Sequence, residues 1–238
     1  MAAILPCSLF LICSSLFPRI KYRTGSAMNE LPSFGIGKNG QTFFRWNEPD
    51  QRRNDRLFFA ILLDSTIATP LALKAAGWQR ELGLRGNLIA AEQLHVSLVG
   101  LGDHDGLPMS LVDTACRAGG LVQAASFDVT LDRLSAFGGG ALVLRGSDGN
   151  PALQTFWRSL GATLSDSPLK PFVANSFEPH VTLLRDRTQV AKLGERAIEP
   201  IGWTVRDFVL VHSFLGRGRY QLYGRWQLSD QDDAVAAV

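Results

Sequence analysis

His95-Val96-Ser97-Leu98 and His180-Val181-Thr182-Leu183 carry one pattern twice: an imidazole, an apolar residue, a hydroxyl and a leucine, each within a short apolar run. In a β-strand alternate side chains share a face, so His95 and Ser97 project together while Val96 and Leu98 project to the other side, and the second copy does the same. An imidazole titrates near neutrality and can give or take a proton, and a hydroxyl beside it can donate to an anionic oxygen. Two such units brought together supply an acid, a base and two phosphate-directed donors, with no metal needed. By average residue usage, a histidine meets Ser or Thr two places on and Leu three places on roughly 1 time in 100, so two hits among the four histidines of this chain are on the order of 1 in 1,000.

The other two histidines, His104 and His212, lack that hydroxyl. Gly102-Asp103-His104-Asp105-Gly106 reads as a polar turn leaving the first motif strand rather than as a metal site. Cys7, Cys13 and Cys116 are too few for a disulfide framework, and no Cys and His spacing matches zinc. A reducing, cytoplasmic setting with neither metal nor cofactor is therefore expected. The 238 residues, 46% of them hydrophobic, suffice for one domain or two closely packed lobes. A net charge of +2 lacks the basic footprint of a protein that grips duplex DNA through its phosphates, but is compatible with a small anion or the end of an RNA. Arginines crowd the stretch after the second motif, from Arg185 to Arg225, and most are expected to be ordinary solvated charges.

Elements that could position the motifs are visible along the chain. Arg56–Asp64 is a compact apolar run fit for a central strand, and Ala68–Leu82 has helical spacing with Pro70 in its first turn. The first motif strand is expected at 93–100 and a second helix at 110–124, opening at Ser110. Phe127–Asp132 and Ala141–Arg145 alternate as strands. The Gly138-Gly139-Gly140 run between them leads from strand to strand, so it reads as a hairpin turn and not as a phosphate-cradling loop. A third helix fits Pro151–Leu164, the second motif strand 179–185, and two closing strands 203–214 and 219–228. Helices and antiparallel strands mix without steady alternation, which predicts an α+β architecture, and motifs about one lobe's length apart suggest two related lobes facing one cleft.

The ends are expected to stand apart from a 56–228 domain. Residues 1–27 form an apolar stretch followed by Arg19, Lys21 and Arg23, the reverse of a secretory signal. They read most simply as an upstream extension before Met28, with a signal, membrane anchor or transit peptide as the alternatives. Residues 28–55 read as a flexible lead-in and 229–238 as a disordered tail.

The two motifs resemble those of the 2H phosphoesterase superfamily, and within it the bacterial 2′-5′ RNA ligase or RNA 2′,3′-cyclic phosphodiesterase branch. The resemblance covers about residues 56–228: Leu57-Phe58-Phe59-Ala60-Ile61 looks like the family's opening strand, Leu101-Gly102-Asp103 like the end of its first motif, Pro179–Arg185 like its second, and Gly218-Arg219-Tyr220 like its last hairpin. It implies a bilobal α+β fold, two pseudo-symmetric antiparallel-sheet lobes with outer helices around a central cleft. It also implies His95 and His180 as the catalytic pair, and Ser97, Thr182, Arg185 and Tyr220 as substrate-binding residues. Strict alternation puts Arg185 on the opposite face from His180, so it must reach the site from a strand end or after a bulge. Many relatives carry Phe five residues after the first histidine; here that residue is Gly100, and stacking from that position is absent.

The activity so implied is metal-independent hydrolysis of 2′,3′-cyclic phosphate ends of RNA or small nucleotides to 2′-phosphates, with reversible 2′-5′ joining as the same chemistry run with a ribose hydroxyl. Cleavage of 2′-5′ oligoadenylates or of ADP-ribose cyclic phosphate is the enzymatic alternative, and a non-catalytic RNA-end-binding module the other. A monomer is expected, with no membrane association unless the N-terminal extension is genuine.

Overall fold

A computed structural model describes residues 53–230 and, as backbone, two short segments of the lead-in. Those segments, β1 (Phe34–Ile36) and β2 (Thr42–Phe44), pair antiparallel within the stretch read as a flexible lead-in. The expectations for residues 1–27 and 231–238 lie outside the described residues.

The domain is one twisted antiparallel sheet with three helices. Its strands are β3 (Asp55–Leu62), β4 (Asn87–Leu88), β5 (His95–His104), β6 (Phe127–Phe137), β7 (Ala141–Arg145), β8 (Val181–Arg185), β9 (Arg196–Val205), β10 (Asp207–Phe214) and β11 (Arg219–Gln227). The helices are α1 (Ser65–Glu81), α2 (Met109–Gly119) and α3 (Pro151–Ser165). The strand order is β11-β10-β3-β5-β8-β7-β6-β9, with β4 paired to β8. Two four-stranded halves are thus joined at β5 and β8, each ending in a motif, which is the two-lobed arrangement the repeat suggests.

All three helices serve the same core. Leu57, Phe59 and Ile61 of β3, Leu142 and Leu144 of β7, and Phe208 and Leu210 of β10 point into it, together with Leu71 of α1, Val112 of α2 and Phe156 and Leu160 of α3. The alternate strand residues face the other way. There Phe58, Ala60, Val209 and Val211 make a small separate apolar cluster. Alternation alone produces this division, one face under the helices and one left open.

Several boundaries differ from expectation for local reasons. Asp64 does not close the first strand; it caps α1, accepting from the Thr66 amide at 2.8 Å, and the helix begins at Ser65. Pro70 consequently lies inside the helix, where its missing N–H leaves the exposed Thr66 carbonyl to water. The second helix starts at Met109 after Pro108 and stops at Gly119, short of Ala124. β5 continues through His104, so the expected polar turn is still strand and the chain turns only after it.

The largest correction concerns the stretch 203–214, which is two strands rather than one. β9 pairs with β6 at one edge of the sheet, while β10 pairs with β3 and β11 near the other. Only Arg206 separates them, which requires the sheet to be rolled until its edges meet. They do: the Leu228 amide donates to the Arg206 carbonyl at 2.8 Å, and the Ser126 amide to the Ser229 carbonyl at 2.8 Å. Ser229 is therefore tied into the domain rather than part of a loose tail.

Candidate active site

β5 and β8 meet with Val96 opposite Val181, and both valines are fully buried in the core. The flanking His95, Ser97, His180 and Thr182 all project from the open face. In this antiparallel pairing His95 neighbours Thr182 and Ser97 neighbours His180, so the two motifs face each other about a local two-fold.

One device fixes both imidazoles. The Nδ1 of His95 donates to the Gln93 carbonyl at 2.7 Å and that of His180 to the Glu178 carbonyl at 2.8 Å, each two residues upstream. A carbonyl only accepts, so Nδ1 carries the hydrogen and Nε2 of the neutral ring is left as the acceptor. The Nε2 of His95 takes the Ser97 hydroxyl at 3.0 Å. Burial pushes His95 down to about 4, with the His180 and Arg185 charges adding to it and the Gln93 carbonyl opposing. His180 is lowered too, by burial and then by the Arg185 and Arg145 charges.

Aromatic rings hold the imidazoles from the sides. Phe58 and Tyr220 lie 5.2 and 5.9 Å from His95, centroid to centroid, and Phe137 stacks on His180 at 4.4 Å. Burial pushes the Tyr220 phenol up to about 12, although the Arg56 and Arg185 charges pull it down, so its hydroxyl stays a hydrogen-bond donor.

Arg185 reaches the open face through a bulge. Leu142 pairs with Leu184 but Val143 pairs with Thr182, making Leu183 an extra residue. Leu183 and Leu184 both enter the core, and Arg185 returns to the side of His180. β5 repeats the device: Phe59 pairs with Val99 and Ala60 with Ser97, so Leu98 is extra and Gly100 returns to the open face opposite Phe58. Arg185 and Gly100 thus hold equivalent positions in the two halves, one with a cation and one with no side chain.

The backbone under Arg185 is clamped. A Cβ on Gly86 would lie 2.0 Å from the Arg185 carbonyl oxygen, and one on Gly140, whose φ is +76°, would lie 2.5 Å from the Arg187 Cα. Between them the Asp186 carboxylate accepts from the amides of Arg85, Thr188 and Gln189 at 2.8, 3.1 and 3.1 Å. Those bonds, that of Arg85 first, pull it down to about 2.

The structure brings His95, Ser97, His180, Thr182, Arg185 and Tyr220 together. It also brings in Arg56, Phe58, Phe137 and Arg145, which sequence reasoning missed. Arg56 chelates the Asp103 carboxylate at 2.6 and 2.7 Å, and its charge acts on Arg185 and Tyr220. The one sequence signal for Phe137 is its position just before the glycine hairpin. His104 and His212 stand apart, on the Leu101 carbonyl at 3.0 Å and the Asp55 carboxylate at 2.7 Å. Among the described residues no group of three His, Cys, Asp or Glu is arranged to hold a metal, and no helix is long and apolar enough to cross a membrane.

The family model described as the 2′-5′ RNA ligase superfamily matches residues 69–215, more than half of the chain, and spans both motifs. This chain belongs to that superfamily. Among solved structures, E. coli LigT complexed with ATP is similar at 26% identity and a TM-score of 0.59, covering 74% of this chain and 99% of LigT. A crystal structure described as a phosphoesterase matches at 25% identity with the same TM-score and coverage. TT0787 of Thermus thermophilus, at 20% identity and a TM-score of 0.59, shows the shared fold over 74% of this chain and 99% of its own. A search of curated proteins returned no match.

Proposed function

We propose that this member of the superfamily is a metal-independent phosphodiesterase that opens the 2′,3′-cyclic phosphate at RNA ends, or on small nucleotides, to a 2′-phosphate. The observation that carries this reading is the Val96–Val181 register, which sets two imidazoles and two hydroxyls on one face with both Nε2 atoms free of the backbone. Hydrolysis needs a base to take a proton from water and an acid to protonate the departing 3′ ribose oxygen. His95, pushed down to about 4, suits the base; His180, although burial lowers it too, is assigned as the acid and enters the step as the imidazolium, the form that the charge of a bound phosphate favours. Charge gathering on the phosphoryl oxygens is met by the Ser97 and Thr182 hydroxyls, the Arg185 guanidinium and the Tyr220 phenol.

The water proton goes to His95, the water oxygen bonds to phosphorus, the P–O3′ bond breaks, and the 3′ oxygen takes its proton from His180. With a 5′ ribose hydroxyl in place of water, the same ring opening joins RNA through a 2′-5′ linkage, and its reversal cleaves that linkage. LigT crystallised with 3′-AMP supports a nucleotide-sized site in a relative of this fold. A cytoplasmic monomer acting on RNA ends completes the reading. Incubation with an oligoribonucleotide ending in a 2′,3′-cyclic phosphate, followed by phosphorus NMR of the product, tests it. A 2′-phosphate is expected with and without EDTA; an unchanged substrate, a 3′-phosphate, or activity lost to EDTA and restored by metal contradicts it.

A further inference from the structure

The open face continues beyond His180 into a row of arginines. Leu144 of β7 pairs with Val181 of β8, so the next step along that ladder sets Arg145 beside His180. On the far side of β7, Arg133 of β6 pairs directly with Arg145, while their neighbours Leu134 and Leu144 both enter the core. His180, Arg145 and Arg133 therefore lie on one face in one line across three strands, at steps of about 5 Å.

Two like charges directly opposite each other in a sheet are destabilising. The protein only partly offsets this pair. Arg145 meets the Glu178 carboxylate at 2.5 Å, but the Glu195 and Asp132 carboxylates stand 3.7 and 3.9 Å from Arg133, which donates instead to the Asp132 main-chain carbonyl over a long 3.5 Å. Both side chains keep about a third of their surface exposed, 32% for Arg145 and 31% for Arg133, so each can turn to an incoming anion. A guanidinium donates in a fork that matches two phosphate oxygens.

We propose that Arg145 and Arg133 form a subsite for the phosphodiester next to the reacting one, so that the cleft takes the end of an RNA strand in preference to a lone nucleotide. This rests on the RNA-end reading above and extends it to the substrate's length. The strand's backbone follows the line of arginines outward from His180, while its terminal phosphate sits between the two motifs.

Equilibrium binding of a triribonucleotide and a mononucleotide, each ending in a 2′-phosphate, is measured against KCl concentration for the full chain and for its R133Q and R133K variants. The unaltered protein is expected to bind the trinucleotide more tightly and with the steeper dependence of log K on log salt. R133Q should lower trinucleotide affinity by about 3- to 10-fold, more than it lowers mononucleotide affinity. It should also flatten the trinucleotide slope by about 0.7, the share of one phosphate contact on a single strand. R133K, which keeps the charge, should keep the slope. Equal affinity of the unaltered protein for both ligands, or an R133Q slope equal to the original, overturns the subsite while leaving the RNA-end reading intact. Failure to bind either ligand overturns both.

Discussion

His95 is buried and ringed by Phe58 and Tyr220, which disfavours its charged form against the opposing pull of the Gln93 carbonyl, 2.7 Å from its Nδ1. Its titration followed by NMR should fall at about 4 rather than near the ordinary 6.5. A value close to 6.5 would mean that the ring is solvated and not held as described. Ser97→Ala and Thr182→Ala should each lower kcat/KM by the equivalent of roughly 1.5 to 3 kcal/mol, the range for a hydrogen bond to a charged group; unchanged kinetics would remove the hydroxyls from the site. At this scale the sequence was informative because the chemistry repeats: two histidines each carry a hydroxyl two places on, and the two others do not. It was silent on Arg56 and Arg145, which nothing local marks, and marked Phe137 only by its place before the glycine hairpin. They enter through strand register, and register is a property of pairs of strands.

Two bulges decide which residues reach the open face. Strict alternation puts Arg185 on the wrong side, and the extra residue Leu183 reverses that, as Leu98 does for Gly100. A bulge leaves no clear mark in a run such as Val-Thr-Leu-Leu-Arg, where two successive leucines suit either face. β3, β7 and α3 could be read nearly to their ends because each is bounded by strong signals, among them Asp64, Gly138-Gly139-Gly140 and Pro151. The clamp below Arg185 gives tests of its own. Gly86→Ala would drive a Cβ into the Arg185 carbonyl, so it should destabilise by about 1 to 3 kcal/mol in chemical denaturation, and lower activity by shifting Arg185. A fully stable, fully active variant would show that the strand end is free to move. Asp186 adds a pH dependence. Its folded value of about 2 lies below its ordinary 3.8, so the stability it contributes is complete above about 4 and is lost as pH falls toward 2. Asp186→Asn should flatten the acid side of the stability curve in that window; an unaltered curve would mean that the carboxylate's three amide bonds do not stabilise the folded state.

Two similar halves meet along β5 and β8, and the roll of the sheet brings its outer edges together at Arg206. The α+β class and the two-lobed plan could be read from element order and motif spacing. The roll could not: Arg206-Asp207 is a two-residue polar step without glycine or proline inside a strand-like run, and only pairing partners at opposite edges reveal two strands. The symmetry of the halves stops at the equivalent positions of Gly100 and Arg185, which leaves one side of the cleft cationic and the other without a side chain. On the function proposed above, such a site holds one phosphate between two unlike surroundings and its histidines work as a pair. Turnover should then follow a bell-shaped pH profile whose two apparent pKa values belong to the pair. The most direct test of that pairing is the turnover of a cyclic-phosphate-ended oligoribonucleotide by His95→Ala, His180→Ala and the double variant, with His104→Ala and His212→Ala as controls. Each single motif variant should lose roughly 10²- to 10⁴-fold, the double variant far less than the product of the two, and the controls little. Losses that multiply in the double variant, or a His104→Ala loss equal to that of His180→Ala, would contradict the two-histidine account.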